Sequence, residues 1–117
     1  MDQNVGQYLE TDVLIIGAGG AGMYGAISAA KAGANVILLD KSIVGRSGAT
    51  IMAQMTVAAA IGEEEPDDWR FHLKDTITAG RGLVDEPLAQ ILCEMAPARI
   101  WEMEDWGIGW ARSVAGG

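Results

Sequence analysis

The chain is poor in the residues that build most small reactive centres. Of its 117 residues one is cysteine, one is histidine and one is phenylalanine. A single thiol, Cys93, excludes an internal disulfide and a cysteine metal cage, and it suits a reducing, cytoplasmic setting. With no histidine or other base near it in sequence, Cys93 reads as a small buried residue rather than a nucleophile. The lone His72 lies within a helical pattern and reads as a partly exposed helical residue. Basic residues are also scarce: 8 Lys and Arg against 16 Asp and Glu, a net charge of -8. That balance argues against nucleic acid and anionic membrane as direct partners. Residues 1–11 carry acids and no basic stretch, so they do not read as a secretory leader. The longest uncharged run, Val13–Ala30, is 18 residues but holds five glycines with Tyr24 and Ser28, too broken for a membrane span.

Glycine is abundant, 16 in all, and it concentrates where the chain is most patterned. Val13-Leu14-Ile15-Ile16 is followed by Gly17-Ala18-Gly19-Gly20-Ala21-Gly22, a small-residue stretch to Gly33, and Val36-Ile37-Leu38-Leu39-Asp40. This is strand, glycine turn, helix, strand, closed by an acid 18 residues after Gly22. The predicted strands are 11–16, buried on both faces, and 35–39. The predicted helix covers 22–32, with Ala26, Ala29, Ala30 and Ala32 keeping it close to the sheet and Gly33 stopping it. Such a turn suits a pyrophosphate. Gly17 makes the sharp exit from the strand, Gly19 leaves no Cβ in the way, and Gly22 lets helix and strand approach. The helix opening near Gly20 aims backbone N–H groups and about half a positive charge at the phosphates. Asp40 stands where a carboxylate accepts from ribose hydroxyls and repels a 2′-phosphate, which disfavours NADP. The rival reading is the same strand–turn–helix with no ligand.

Residues 41–62 begin polar and turn apolar. Ser42, Ser47 and Thr50 offer hydroxyls, while Gly45 and Gly48 allow close backbone approach. The segment reads as a path along a long cofactor, or as a linker into a buried element. The acids from Glu63 to Asp68, with Pro66, suit the first turn of a helix that runs to about Ala79 with Trp69, Leu73 and Ile77 on one face. Gly80-Arg81-Gly82 breaks it. Asp85 caps the next helix, whose apolar face is Leu88, Ile91, Leu92 and Met95. Pro97 ends that pattern and begins a further helix to Gly107. Trp101, Trp106 and Trp110 read as packing or as surface to be covered. Two convincing strands are too few for a nucleotide-binding sheet, so the expectation is an N-terminal part of a longer protein or one piece of a split one. The fold class expected is α/β, the N-terminal portion of a Rossmann-like βαβ domain followed by a helical segment. Residues 1–62 form the first part and 63–117 the second.

Asp12–Met23, the pair Asp40-Lys41, Arg46-Ser47, Ala53-Gln54, Asp68–Thr76, Ala96–Glu102 and Trp106-Gly107-Ile108 together resemble the flavoprotein subunit of succinate dehydrogenase and fumarate reductase, and its relative L-aspartate oxidase. The resemblance runs in order along essentially the whole chain. It implies FAD, and an oxidoreductase of electron transport acting on a dicarboxylate. It places Gly17, Ala18, Gly19, Gly20, Ala21 and Gly22 at the pyrophosphate and Asp40 at the ribose. Lys41, Ser42, Ser47, Gly48, Ala49, Thr50, Ala53 and Gln54 then line the path to the flavin ring. Respiratory members carry a histidine after Arg-Ser that bonds the flavin. Gly48 and Ala49 stand there in this chain, so the FAD is expected to be non-covalent. Met55-Thr56 replaces the family's Gly-Gly. The family's substrate-binding residues lie beyond residue 117, so no catalytic residue and no metal ligand is assigned. The expected partners are a dicarboxylate and an iron–sulfur electron-transfer subunit, with no membrane span of its own. The alternatives are an L-aspartate oxidase segment, a non-catalytic nucleotide-binding subunit of a split flavoprotein, and, disfavoured by residues 41–62, an NAD dehydrogenase.

Overall fold

A computed structural model of the chain describes residues 6, 8–53, 56–63 and 65–111. Their order is β1 (Val13–Ile16), α1 (Gly20–Lys31), β2 (Val36–Leu39), a short 3-10 turn (Thr50–Met52), α2 (Trp69–Gly80) and α3 (Glu86–Asp105). The chain forms two compact units, Met1–Thr56 and Val57–Gly117.

In the first unit β1 and β2 pair in parallel, with Val13 opposite Val36 and Ile16 opposite Leu39. Parallel neighbours need a crossover, and α1 supplies it. Both strands start later than the sequence suggests. Thr11 and Asn35 sit just outside them, where side chains add to the backbone: the Asn35 carbonyl accepts from the N–H groups of Asp12 and Val13 and from the Thr11 hydroxyl at 2.7 Å, and the Asp12 carboxylate accepts from the Asn35 N–H at 2.8 Å. α1 ends at a paired C-terminal motif. The Gly33 N–H donates to the Ala30 carbonyl and the Ala34 N–H to the Ala29 carbonyl, with Gly33 at φ +91°. That left-handed residue is what glycine supplies at a helix stop. Of the small residues expected to face the sheet, Ala26 and Ala29 are half-buried, whereas Ala30 and Ala32 are exposed. β1 is not covered on both faces: Val13 and Ile15 turn inward, while Leu14 is 54% and Ile16 82% exposed. One helix covers one face of a two-stranded sheet, and α1 is that helix. No described segment is a membrane-crossing helix; the run from Val13 to Ala30 is strand, turn and helix.

In the second unit, α2 begins at Trp69, later than the acid cluster suggested. Asp68 is its N-cap, accepting from the Arg70 N–H at 2.8 Å, and no acid lies in the first turn. Pro66 and Asp67 precede the helix because Asp68 is still extended, at φ -141° and ψ 132°; the Asp67 carboxylate accepts from the Asp68 N–H at 2.7 Å. α2 stops at Arg81, which takes a left-handed conformation at φ +48°. A side chain there costs about 1 kcal/mol or more that glycine avoids. Arg81→Gly should therefore raise stability by about 1 kcal/mol, read as a higher urea midpoint with an unchanged slope.

α3 is capped as expected: the Asp85 carboxylate accepts from the Leu88 N–H at 3.1 Å, with Glu86 and Pro87 in the first turn. Two expectations fail beyond that. α3 runs unbroken through Pro97 to Asp105. A proline inside a helix removes one backbone bond, a loss this long helix absorbs. The inward residues are Ala89, Cys93 and Ile100, while Leu88, Ile91, Leu92 and Met95 stand exposed. Both sets recur at helical spacing, so periodicity alone does not choose between them. α3 packs against α2 within this unit, and Cys93 lies at that contact. There the Thr76 hydroxyl lies 3.7 Å from the Cys93 sulfur. Cys93 is fully buried, in keeping with a packing role.

Candidate cofactor-binding site

The C-terminal ends of β1 and β2 lie side by side and open into a cleft of about 260 Å³. It is lined by Ile16, Gly17, Ala18 and Gly19 from the first turn, Asp40 and Lys41 from the end of β2, and Ser47 and Gly48 from the loop beyond. In an open parallel sheet this end of the strands is where ligands bind.

Each glycine of the first turn meets a different demand. Gly17 sits at φ +107°, a conformation L side chains rarely adopt, while its N–H still donates to the Leu39 carbonyl at 2.7 Å. Gly19 is the N-cap of α1, makes no side-chain cap, and has open space where a Cβ would project. Gly22 is enclosed: a Cβ there would overlap the carbonyl oxygen of Gly17 and lie 3.5 Å from Cγ2 of Ile15. Gly20 is held from a distance. Its N–H donates to the Thr50 hydroxyl at 3.2 Å, and a Cβ would come within 2.6 Å of that oxygen.

Asp40 is the charged centre of the cleft. The Ser47 hydroxyl donates to its Oδ2 at 2.6 Å and the Ser42 N–H to its Oδ1 at 3.3 Å. The Ser47 bond, helped by backbone N–H groups of Ser42, Ala18 and Lys41, holds the carboxyl below its ordinary value against a weaker opposing effect of desolvation. Asp40 is thus a committed carboxylate acceptor.

Of the residues expected to bind a cofactor, Gly17, Ala18, Gly19, Asp40, Lys41, Ser47 and Gly48 meet in this cleft. Gly20, Ala21 and Gly22 form the first turn of α1. Ser42 reaches Asp40 through its backbone, Thr50 reaches Gly20, and Ala49 and Ala53 flank the 3-10 turn. Gln54 lies outside the described residues, as does Met55. Ile16 also lines the cleft, a residue the motif does not single out; its position at the last step of the strand was the available signal. His72 is in the second unit, half-buried, with Nδ1 buried and unbonded. Among the described residues no group of three His, Cys, Asp or Glu converges.

The residues fit a dinucleotide: an open approach over Gly19, a helix start behind it, and a fixed carboxylate at the end of the neighbouring strand. Comparison with known proteins agrees. The family described as FAD binding domain matches residues 12–117. The succinate dehydrogenase flavoprotein subunit of Rickettsia felis is 38% identical over 105 residues, covering 90% of this chain and 17% of that protein. The fumarate reductase flavoprotein subunit of Haemophilus influenzae is 32% identical over 111 residues, covering 94% of this chain and 18% of its own length. Among solved structures, the Mycobacterium smegmatis Sdh1 complex in the apo form superimposes with a TM-score of 0.83 at 36% identity, over 92% of this chain and 18% of that one. E. coli quinol fumarate reductase does so with a TM-score of 0.74 at 29% identity, again over 92% and 18%. The chain therefore spans about 17% of the length of the relatives it matches.

Proposed function

The chain belongs to the FAD binding domain family, and from that premise we propose that it is the N-terminal FAD-binding segment of an oxidoreductase of the succinate dehydrogenase and fumarate reductase type. The observation that carries this is the cleft, where Gly17, Gly19 and the Asp40 carboxylate face one space at the start of α1. The proposed holding residues are those of the motif. Gly17 to Gly22 embrace the pyrophosphate with backbone donors, and Asp40 accepts from the adenosine ribose. Lys41, Ser42, Gly48, Ala49, Thr50, Ala53 and Gln54 follow toward the flavin ring, and Ser47 within that run is bonded to the Asp40 carboxylate. When bound, FAD supplies the hydride acceptor for a dicarboxylate. This chain's contribution is to bind and orient it.

The named relatives are succinate dehydrogenase and fumarate reductase subunits, which favours this reading over an L-aspartate oxidase segment or a non-catalytic split subunit. In the intact protein, an iron–sulfur subunit would carry electrons onward on the cytoplasmic face of a membrane, reached through partner subunits. No helix among the described residues is long and apolar enough to cross a membrane.

FAD is held without a covalent bond in this proposal. The loop after Arg46-Ser47 presents Gly48, at φ +87° with its Cβ position 3.3 Å from the Gly19 Cα, and then Ala49. Neither carries a side chain able to attach to a flavin. Acid precipitation of the intact protein should leave flavin in the supernatant; flavin retained in the pellet would contradict it. The catalytic assignment is tested anaerobically on the intact protein. Succinate should bleach the flavin absorbance and fumarate restore it. A flavin that answers only to L-aspartate would move the assignment to the oxidase.

A further inference from the structure

We propose that Ser47 is the positioning residue of Asp40: its hydroxyl is committed to the Asp40 carboxylate and acts on the cofactor only through it. The inference rests on the FAD reading above and deepens it. A serine has one O–H to donate. Here that proton goes to Oδ2 of Asp40 over 2.6 Å, a short bond of the charge-assisted kind. Ser47 therefore has no second proton to offer a phosphate oxygen. The loop is shaped to deliver this contact. It leaves β2 at Asp40 and returns seven residues later, with left-handed glycines on either side of the serine, Gly45 at φ +77° and Gly48 at φ +87°. The Ser42 N–H holds the other oxygen at 3.3 Å. Held by Ser47 on one oxygen and Ser42 on the other, with the backbone N–H groups of Ala18 and Lys41 adding to them, the carboxylate is fixed in place as an acceptor for a ribose hydroxyl. Asp40 and Ser47 line the same cleft, so the fixed carboxylate faces the space where the nucleoside would lie.

The test is a double-mutant cycle on the intact flavoprotein, stripped of cofactor and titrated with FAD by flavin fluorescence. Ser47→Ala should weaken FAD about tenfold, the scale of a hydrogen bond to a charged group. Ser47→Thr, which keeps the hydroxyl, should restore it. In an Asp40→Ala background Ser47→Ala should change the dissociation constant less than about twofold, because the group it positions is gone. Equal weakening in both backgrounds would mean that Ser47 touches FAD itself and would overturn the proposal. So would a harmless Ser47→Ala alongside a damaging Asp40→Ala. If Asp40→Ala leaves FAD binding unchanged, the ribose assignment fails first, and that outcome is distinct. Thermal unfolding of each apoprotein separates loss of fold from loss of binding. Should Ser47→Ala not fold, Ser47→Cys, a weaker donor, is expected between wild type and Asp40→Ala, and a wild-type value would count against the role.

Discussion

Gly22→Ala should abolish FAD retention. The added Cβ would overlap the carbonyl oxygen of Gly17, which is backbone and cannot rotate away as a side chain would. Either α1 lifts from β1 or the Gly17 turn moves, and both displace the groups that meet the pyrophosphate. Overpacking of this kind costs about 1–3 kcal/mol or more in stability. The purified variant should therefore carry no flavin and unfold at a lower temperature than wild-type apoprotein. Gly19→Ala is the matched comparison. Open space surrounds that position, so the apoprotein should be as stable as wild type while FAD binding still falls, because the methyl group occupies the approach of the phosphates. If Gly22→Ala keeps both its flavin and its stability, the close packing of the first turn is not what the site depends on.

Asp40→Ala should weaken FAD by about ten- to a hundredfold, on the scale of losing hydrogen bonds to a charged acceptor, and it should also relax discrimination against a 2′-phosphate. The wild-type group carries a pH signature with a definite sign. Folding lowers the Asp40 pKa, chiefly through the Ser47 hydroxyl. The folded chain therefore favours the ionised form. Its contribution is fully present above the ordinary carboxylate value and is lost as pH falls through the lowered native value. FAD affinity carried by this carboxylate should hold through mildly acidic pH and fall only below the usual carboxylate range. In Asp40→Ala that acid-side fall should disappear from FAD titrations across pH. A fall of the same size and position in the variant would assign it to another group.

Much of the first unit was legible because its signals are local. Four apolar residues before a glycine turn, small residues after it and Gly33 at the stop need only neighbours in sequence, and β1, α1 and β2 follow. Asp85 likewise announced its helix, since a cap acts over three residues. The α3 face was not legible. Leu88, Ile91, Leu92 and Met95 repeat as regularly as Ala89, Cys93 and Ile100, and only packing on α2 decides which set turns inward. The start of α2 was not legible either, because Asp67 and Asp68 are chemically alike and the backbone conformation decides which one caps.

Side-chain size, backbone freedom and short-range hydrogen bonds are enough to specify the strand–turn–helix–strand unit and the acid that closes its second strand. Contacts between residues far apart in the chain are set only once the chain has folded. Thr50 reaches Gly20 across 30 residues, and Ser47 returns to Asp40. The reason is physical: a hydroxyl's partner is fixed by where the folded loop brings it, and no local pattern records that path.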